Sequence, residues 1–353
     1  MRYLVTGGAG FIGSSLVRML VASGAEHVTT VDKLTYAGNL DSLAPVADDP
    51  RHTLVIADVA DHEAMTAAFD AARPDVVFHL AAESHVDRSI EGPRVFVETN
   101  ILGTFVMLQA ALAHWRALPA EAAERFRFVH VSTDEVFGSL GHEGFFSETT
   151  PYDPSSPYSA SKAASDHLAR AWQRTYGLPV LVTNCSNNYG PYQFPEKLVP
   201  HMIVRALAGD SLPVYGTGAN VRDWLFVDDH ASALRAVAER GTLGETYLIS
   251  GRNEARNIDL VHKLVAILDH ERPRVDGRSY AEQIAFVTDR PGHDFRYAID
   301  AAKLEREVGW RPTRTVDEGL AETVRWYLAN EWWWQRILSG SYRAERLGLA
   351  GAR

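Results

Sequence analysis

Tyr3-Leu4-Val5-Thr6-Gly7-Gly8-Ala9-Gly10-Phe11-Ile12-Gly13 decides how this chain folds. An apolar run meets a cluster of glycines, and helical periodicity then runs through residues 11–23. Gly8-x-Gly10-x-x-Gly13 satisfies the general dinucleotide pattern, and Gly7-x-x-Gly10-x-x-Gly13 a variant with wider spacing. Glycine permits the tight turn and lets backbone N–H groups approach a pyrophosphate at the helix N-terminus. A glycine triplet alone is weak evidence, since a structural turn reads the same way. Here residues 26–31 follow as a second apolar strand that ends on Asp32. Strand, glycine loop, helix, strand and acid, in that order, are the context the motif requires. Asp32 is expected to accept hydrogen bonds from the adenosine ribose, which favours NAD over NADP; Lys33, directly after it, works against that preference.

Working outward, strand-like runs recur at 53–57, 75–80, 125–132 and 178–184, with helical patterns at 93–113 and 158–176 between them. The third strand ends at Asp58-Val59, a candidate adenine contact. The fourth is followed by the small residues Ala81-Ala82, which suit a cofactor lying across a sheet edge. Ser155-Ser156-Pro157 is a helix-start signal. Repeated strand–helix alternation predicts an α/β fold, a doubly wound and mostly parallel sheet, with a smaller α+β substrate lobe. Beyond Tyr189-Gly190-Pro191 the pattern becomes irregular, with helices expected at 197–209, 228–240, 260–269 and 301–308 and strands at 213–216 and 245–250. The expected division is a cofactor domain over 1–190, with segments returning near 220–250 and 295–300. The smaller lobe comprises 191–219, 251–294 and 301–353. Trp332-Trp333-Trp334 reads as packing of that lobe or as a partner surface.

The 353 residues are 46% hydrophobic and 23% charged, an ordinary globular composition. A net charge of −10 and a pI near 5.8 argue against nucleic acid, which calls for a basic face. One cysteine, Cys185, excludes an intrachain disulfide and reads as a small apolar residue on a buried strand. The chain enters its first strand at once and shows no leader, so Asn184-Cys185-Ser186 is discounted as a glycosylation site and a cytoplasmic location is expected. No apolar run approaches 18 residues, so no membrane span is expected. The 14 histidines show no metal-ligand spacing, and no metal site is expected; His85 and His293 lie in loops where substrate contact is plausible.

Chemistry concentrates in two stretches. Thr133-Asp134-Glu135 places adjacent carboxylates at the end of the apolar run 128–132, and Tyr158 and Lys162 are spaced i, i+4, on one face of a helix. A phenol acting as a base near neutrality must fall by roughly 3 pKa units, about 4 kcal/mol of differential stabilisation. A neighbouring ammonium and a nicotinamide cation can supply part of it. The pair could then take the proton from an alcohol as it is oxidised. The carboxylates read either as a solvated strand end or helix cap, or as an acid and a base acting on the resulting ketone. In the second reading one removes the acidified C–H proton and the other protonates a hydroxyl one carbon further on, and water is eliminated.

Together with Ala81-Ala82-Glu83-Ser84-His85-Val86-Asp87-Arg88-Ser89, Asn187-Asn188-Tyr189-Gly190-Pro191-Tyr192-Gln193, Asn220-Val221-Arg222-Asp223-Trp224 and Asp289-Arg290-Pro291-Gly292-His293-Asp294, these motifs resemble the extended short-chain dehydrogenase/reductases. Within them the combination is similar to the dTDP-glucose 4,6-dehydratases over nearly the whole chain. Related sugar-nucleotide 4-epimerases share the fold and the Tyr/Lys pair. The resemblance implies oxidation at C4 by Tyr158, supported by Lys162. It implies C6-hydroxyl protonation by Asp134, C5 deprotonation by Glu135, and a hold on the C4 oxygen by Thr133. It implies NAD held by Gly7, Gly10, Phe11, Ile12, Gly13, Asp32, Lys33, Leu34, Thr35, Asp58, Val59, Leu80, Ala82, Thr99 and Asn188 besides Tyr158 and Lys162. It places the dTDP-glucose substrate against Ser84, Thr133, Asn187, Lys197, Leu198, Pro213, Tyr215, Arg222, Asn257 and His293, with Arg222 the natural diphosphate partner. It also implies a homodimer formed by helices 93–113 and 158–176 as a four-helix interface. The alternatives are a 4-epimerase, or a 4,6-dehydratase acting on UDP- or CDP-glucose. Phe295 departs from the family pattern, standing where a second arginine is expected.

Overall fold

Residues 2–6 form a strand because a sheet covered on both faces accepts a continuous apolar run; Leu4 and Val5 are fully buried. The computed structural model describes residues 1–289 and 293–340. Its strands are β1 (Arg2–Thr6), β2 (His27–Asp32), β3 (His52–Ile56), β4 (Val76–His79), β5 (Arg127–Thr133), β6 (Val180–Cys185), β7 (Asn187–Tyr189), β8 (Leu212–Tyr215), β9 (Val221–Phe226), β10 (Thr246–Ile249), β11 (Glu254–Arg256) and β12 (Ile284–Val287). Seven of them make one parallel sheet in the order β10-β6-β5-β4-β1-β2-β3. The chain winds outward from β1 to β3 and then returns to β4 on the other side of β1. A crevice opens at such a reversal, beyond the C-terminal ends of the strands.

Helices cover both faces. Phe11–Ala22 and Val227–Arg240 pack together on one face. His62–Ala72, Thr104–Ala117 and Pro157–Tyr176 cover the other. A second core, built on Tyr189, Met202, Trp224, Leu264, Tyr327 and Trp333, fills the smaller lobe. Around this core stand β11-β9-β7 and the parallel pair β12-β8, so β7 and β9, expected within the cofactor domain, pack with the second core instead, because Tyr189, Trp224 and Phe226 are buried in it. Trp333 and Trp334 are buried in its core and Trp332 is exposed, so two of the three tryptophans serve lobe packing.

Several elements lie beyond the sequence reading. His62–Ala72 is capped by the Asp61 side chain, which accepts from the N–H groups of Glu63 and Ala64. Val316–Ala329 begins with a reciprocal box between Thr315 and Glu318, a Thr-x-x-Glu signal present in the sequence. β9 coincides with the Val221-Arg222-Asp223-Trp224 run, whose polar residues hide a buried strand. The helix expected at 93–113 runs to Ala117 and widens into a π-type turn over Val97–Gly103. The reading that no stretch suits a membrane is corrected there. Pro93–Ala117 is long and apolar enough to cross a membrane by length and composition. More than half of its most apolar 18 residues are buried, because its apolar side chains pack under the sheet. Arg290, Pro291 and Gly292 of the Asp289–Asp294 motif, and residues 341–353 of the smaller lobe, lie outside the described residues.

Candidate active site

At the reversal of the sheet, the glycine turn leaves room only for backbone. Gly7 sits at φ +68°, where a side chain is strained, and a Cβ there would come within 2.8 Å of Ala81 Cα. A Cβ on Gly13 would lie 2.2 Å from the Gly7 carbonyl oxygen. The turn therefore closes on itself, with Gly10 N donating to Gly7 O (3.1 Å) and Gly7 N to Val31 O (2.8 Å), and Gly7, Gly10 and Gly13 line the crevice. Asp32, at the end of β2, accepts from Ala9 N (3.0 Å) and Leu34 N (2.8 Å). Burial pushes its carboxyl up, and these two bonds pull it back down. Lys33 Nζ donates to Thr99 Oγ1 (3.0 Å) and pairs with Asp58 Oδ2 (3.4 Å), so three of the expected cofactor residues form one cluster.

A cleft of about 290 Å³ runs along these strand ends. Of the residues expected at the cofactor, Gly7, Gly10, Phe11, Ile12, Gly13, Asp32, Lys33, Thr35, Val59, Leu80, Ala82, Thr99, Tyr158, Lys162 and Asn188 line it; Leu34 and Asp58 do not, and each contacts a residue that does, Asp32 and Lys33 respectively. Thr133, Asp134 and Glu135 line it too, with Ser84, Asn187 and Lys197. Leu198, Pro213, Tyr215, Arg222, Asn257 and His293 do not reach this cleft and lie in the smaller lobe. There the Tyr215 and His293 rings meet edge-on at 6.1 Å, and Asn257 N donates to Asn220 O. Arg222 is buried; it donates to the carbonyls of Val221, Asp294 (2.8 Å) and Phe295 and stacks over Tyr297 at 4.2 Å. Phe295 packs edge-on against His142 at 4.9 Å.

The reacting end has a defined construction. β5 ends at Thr133, whose side chain caps a single 3₁₀ turn, Asp134–Phe137, by accepting from Glu135 N (3.3 Å). The cap is therefore Thr133 and not the carboxylate pair, which lies inside the turn with Asp134 buried and Glu135 half-buried. Asp134 is 2% exposed, and its Oδ2 is without a hydrogen-bond partner. Burial, then the charges of Glu135 and Asp223, push its carboxyl well above the usual range; Arg222 opposes them. Opposite, Ser156 and Ser159 form a capping box with Pro157 in the first turn, which fixes the helix carrying Tyr158 and Lys162. Burial, with Glu135 and Cys185, pushes the Tyr158 phenol well up, and Thr133 bonding pulls it down. Lys162 Nζ donates to Val131 O (2.9 Å); burial lowers its ammonium and Asp166 counters that.

The residues fit NAD. A cradle that a single Cβ would fill, an acid at the end of β2, and buried Asp134 Oδ2 and Asn187 Oδ1 without partners all face one cleft. Four features escaped the sequence reading. Glu83 and Glu196 stand in the cleft wall, and Cys185 lies at the reacting end beside Asn188. Asp223 approaches Asp134 from β9. No spacing signal marks them, because each arrives from a different element.

The family model described as GDP-mannose 4,6 dehydratase matches residues 4–323. A dTDP-glucose 4,6-dehydratase of Neisseria meningitidis serogroup B is 58% identical over 351 residues, covering 98% of this chain and 99% of its own length. The dTDP-glucose 4,6-dehydratase of Streptomyces venezuelae, solved with NAD bound, superposes with a TM-score of 0.87 at 47% identity, covering 96% of this chain and 100% of its own. A UDP-glucose 4-epimerase of Thermotoga maritima superposes at 0.83 with 29% identity, covering 94% and 100%. The family model and the two dTDP-glucose relatives agree on 4,6-dehydration and differ in nucleotide and sugar; the epimerase shares the fold.

Proposed function

The chain belongs to the dTDP-glucose 4,6-dehydratases of the extended short-chain dehydrogenase/reductases, and we propose that Tyr158, Lys162, Thr133, Asp134 and Glu135 carry its reaction. It is an NAD-dependent hydro-lyase that converts dTDP-glucose to dTDP-4-keto-6-deoxyglucose. NAD, when bound, accepts the hydride from C4 and returns it to C6. Every proton is moved by the chain. Tyr158 takes the proton of the C4 hydroxyl, and Thr133 holds the oxygen. Burial, Glu135 and Cys185 hold the resting phenol well above its ordinary value and the Thr133 hydrogen bond opposes them; the Lys162 ammonium, one helical turn away, would lower it further. Once C4 is a ketone, the C5 proton is acidic and Glu135 removes it. Asp134 hands its proton to the C6 hydroxyl, which departs as water, and as the hydride comes back to C6 the protonated Glu135 returns a proton to C5.

The observation that carries this reading is the environment of Asp134. A dehydrogenase needs no second acid at the reacting end, yet a carboxyl is buried there beside a second carboxylate, which favours its protonated form. The lobe residues Leu198, Pro213, Tyr215, Arg222, Asn257 and His293 would hold the nucleotide and diphosphate. Arg222 would then exchange carbonyl partners for phosphate oxygens. The division into a cofactor domain over 1–190 and a smaller lobe follows the same split of tasks. A homodimer through the Pro93–Ala117 and Pro157–Tyr176 helices, in the cytoplasm, completes the reading; Val95, Val97, Leu102 and Tyr176 are exposed apolar residues on those helices.

Turnover of dTDP-, UDP-, CDP- and GDP-linked hexoses, followed by mass spectrometry for loss of water, tests it. dTDP-glucose should give the 4-keto-6-deoxy product. Recovery of only the galactose isomer would make the chain an epimerase, and preference for UDP- or CDP-glucose would move the nucleotide assignment.

A further inference from the structure

Tyr158, Lys162 and Asp166 stand at i, i+4 and i+8 on one stripe of the Pro157–Tyr176 helix. Tyr158 and Lys162 line the cleft, and Asp166 lies behind them with no exposed surface. Its Oδ1 is 3.0 Å from His130 Nε2 on β5. Its Oδ2 accepts from Tyr152 OH (2.7 Å) and from Asn184 Nδ2 on β6 (3.0 Å). The same Asn184 amide donates to the Thr133 carbonyl (3.0 Å), and Arg170 supports the Tyr152 hydroxyl at 2.6 Å. One buried carboxylate thus reaches both stretches of the active site.

We infer that Asp166 is a positioning residue: it supplies the counter-charge that keeps Lys162 an ammonium, and through Asn184 it ties the Tyr158–Lys162 helix to the Thr133–Glu135 strand end. A fully buried amine sheds its proton unless an anion stands near it. The groups around this one are few. His79 on β4 and His130 on β5 face Lys162, and burial drives both imidazoles below their ordinary value, so neither competes as a cation. Cys185 on β6 is a thiol pushed up to about 12, so it brings no charge near neutrality. Asp134 lines the same cleft, and burial with Glu135 and Asp223 pushes its carboxyl well above the usual range. Arg170 is on Asp166's own helix and meets it through Tyr152. Glu135 lines the same cleft on the far side of Tyr158; among the described residues Asp166, held low by His130 and Lys162 in spite of its burial, is the buried carboxylate on Lys162's own helix stripe.

The inference rests on the proposed roles of Tyr158 and Lys162, but its test does not require turnover. The chain has five lysines, Lys33, Lys162, Lys197, Lys263 and Lys303. Each gives a separate signal in the NAD-loaded protein labelled with ¹³C-lysine, and Lys162 is assigned by its loss in Lys162→Arg. Lys162 should remain an ammonium through neutral pH. In Asp166→Asn its titration midpoint should drop by about 1 unit or more. The alkaline limb of single-turnover cofactor reduction should move down with it. Tyr152→Phe removes a hydrogen bond and keeps the charge, and should leave the midpoint within about 0.3 unit. An unchanged midpoint in Asp166→Asn would overturn the inference. A neutral Lys162 amine at pH 7 in the unaltered protein would do so as well, even if Asp166→Asn does not fold. An inactive wild type whose lysine shifts as expected would strike the assigned reaction and leave Asp166's role standing.

Discussion

Asp134 is the residue at which burial, charge and reaction meet. In the unfolded chain its carboxyl has an ordinary acidity; in the fold, burial, Glu135 and Asp223 hold it well above that. The fold therefore binds this proton more tightly than the unfolded chain does. The stability that comes with it is complete below the ordinary carboxylate range and is lost as pH rises through the folded value. Asp134→Asn removes the titration. It should raise Tm at pH 8 by about 2 °C or more, with the gain shrinking toward pH 4. Turnover should fall by about 10²–10⁴-fold while cofactor reduction survives. Calorimetry across pH with a stopped-flow absorbance trace checks both; normal turnover would remove Asp134 as the acid. Much of this was legible in the sequence, because Thr133, Asp134 and Glu135 are neighbours and Tyr158 and Lys162 are one helical turn apart. Asp223 was not, since only the return of β9 brings it to Asp134. Asp166 was legible in principle, one further turn along the same helix.

Among the elements, the strand–turn–helix unit at the N-terminus is the most tightly determined. Gly13→Ala would drive a Cβ to 2.2 Å from the Gly7 carbonyl, which the closed turn cannot absorb without moving the backbone that lines the crevice. NAD affinity, measured by calorimetric titration, should fall by at least about tenfold, a difference of 1.4 kcal/mol; unchanged affinity would mean that the turn does not hold the pyrophosphate. The parallel strands of the main sheet were legible because burial on both faces leaves uninterrupted apolar runs. β9 was not legible as a strand. Its Arg222 and Asp223 are buried polar residues satisfied by backbone groups and by Ser250 Oγ (2.6 Å), and no hydrophobic period can announce them. The π-type turn at Val97–Gly103 was equally silent. There Gly103 packs so closely that a Cβ would meet Val59 Cγ2 at 2.8 Å, a constraint set by a neighbour distant in sequence.

At the scale of the whole molecule, Pro93–Ala117 is apolar on more sides than one sheet can cover. Val97 and Leu102 remain 52% and 46% exposed, and a second copy of the helix pair would cover them. Val97→Glu with Leu102→Glu should yield a monomer of 39.0 kDa by light scattering where the unaltered chain gives twice that mass; an unchanged mass would contradict the proposed interface. The reaction as a whole has one direct test, which is dTDP-glucose carrying deuterium at C4. In the proposed mechanism Tyr158 at C4 and the carboxylate pair at C5 and C6 act on one sugar that stays bound throughout. The account therefore predicts dTDP-4-keto-6-deoxyglucose with the deuterium at C6. Deuterium released to water, or still at C4 in the product, would contradict it.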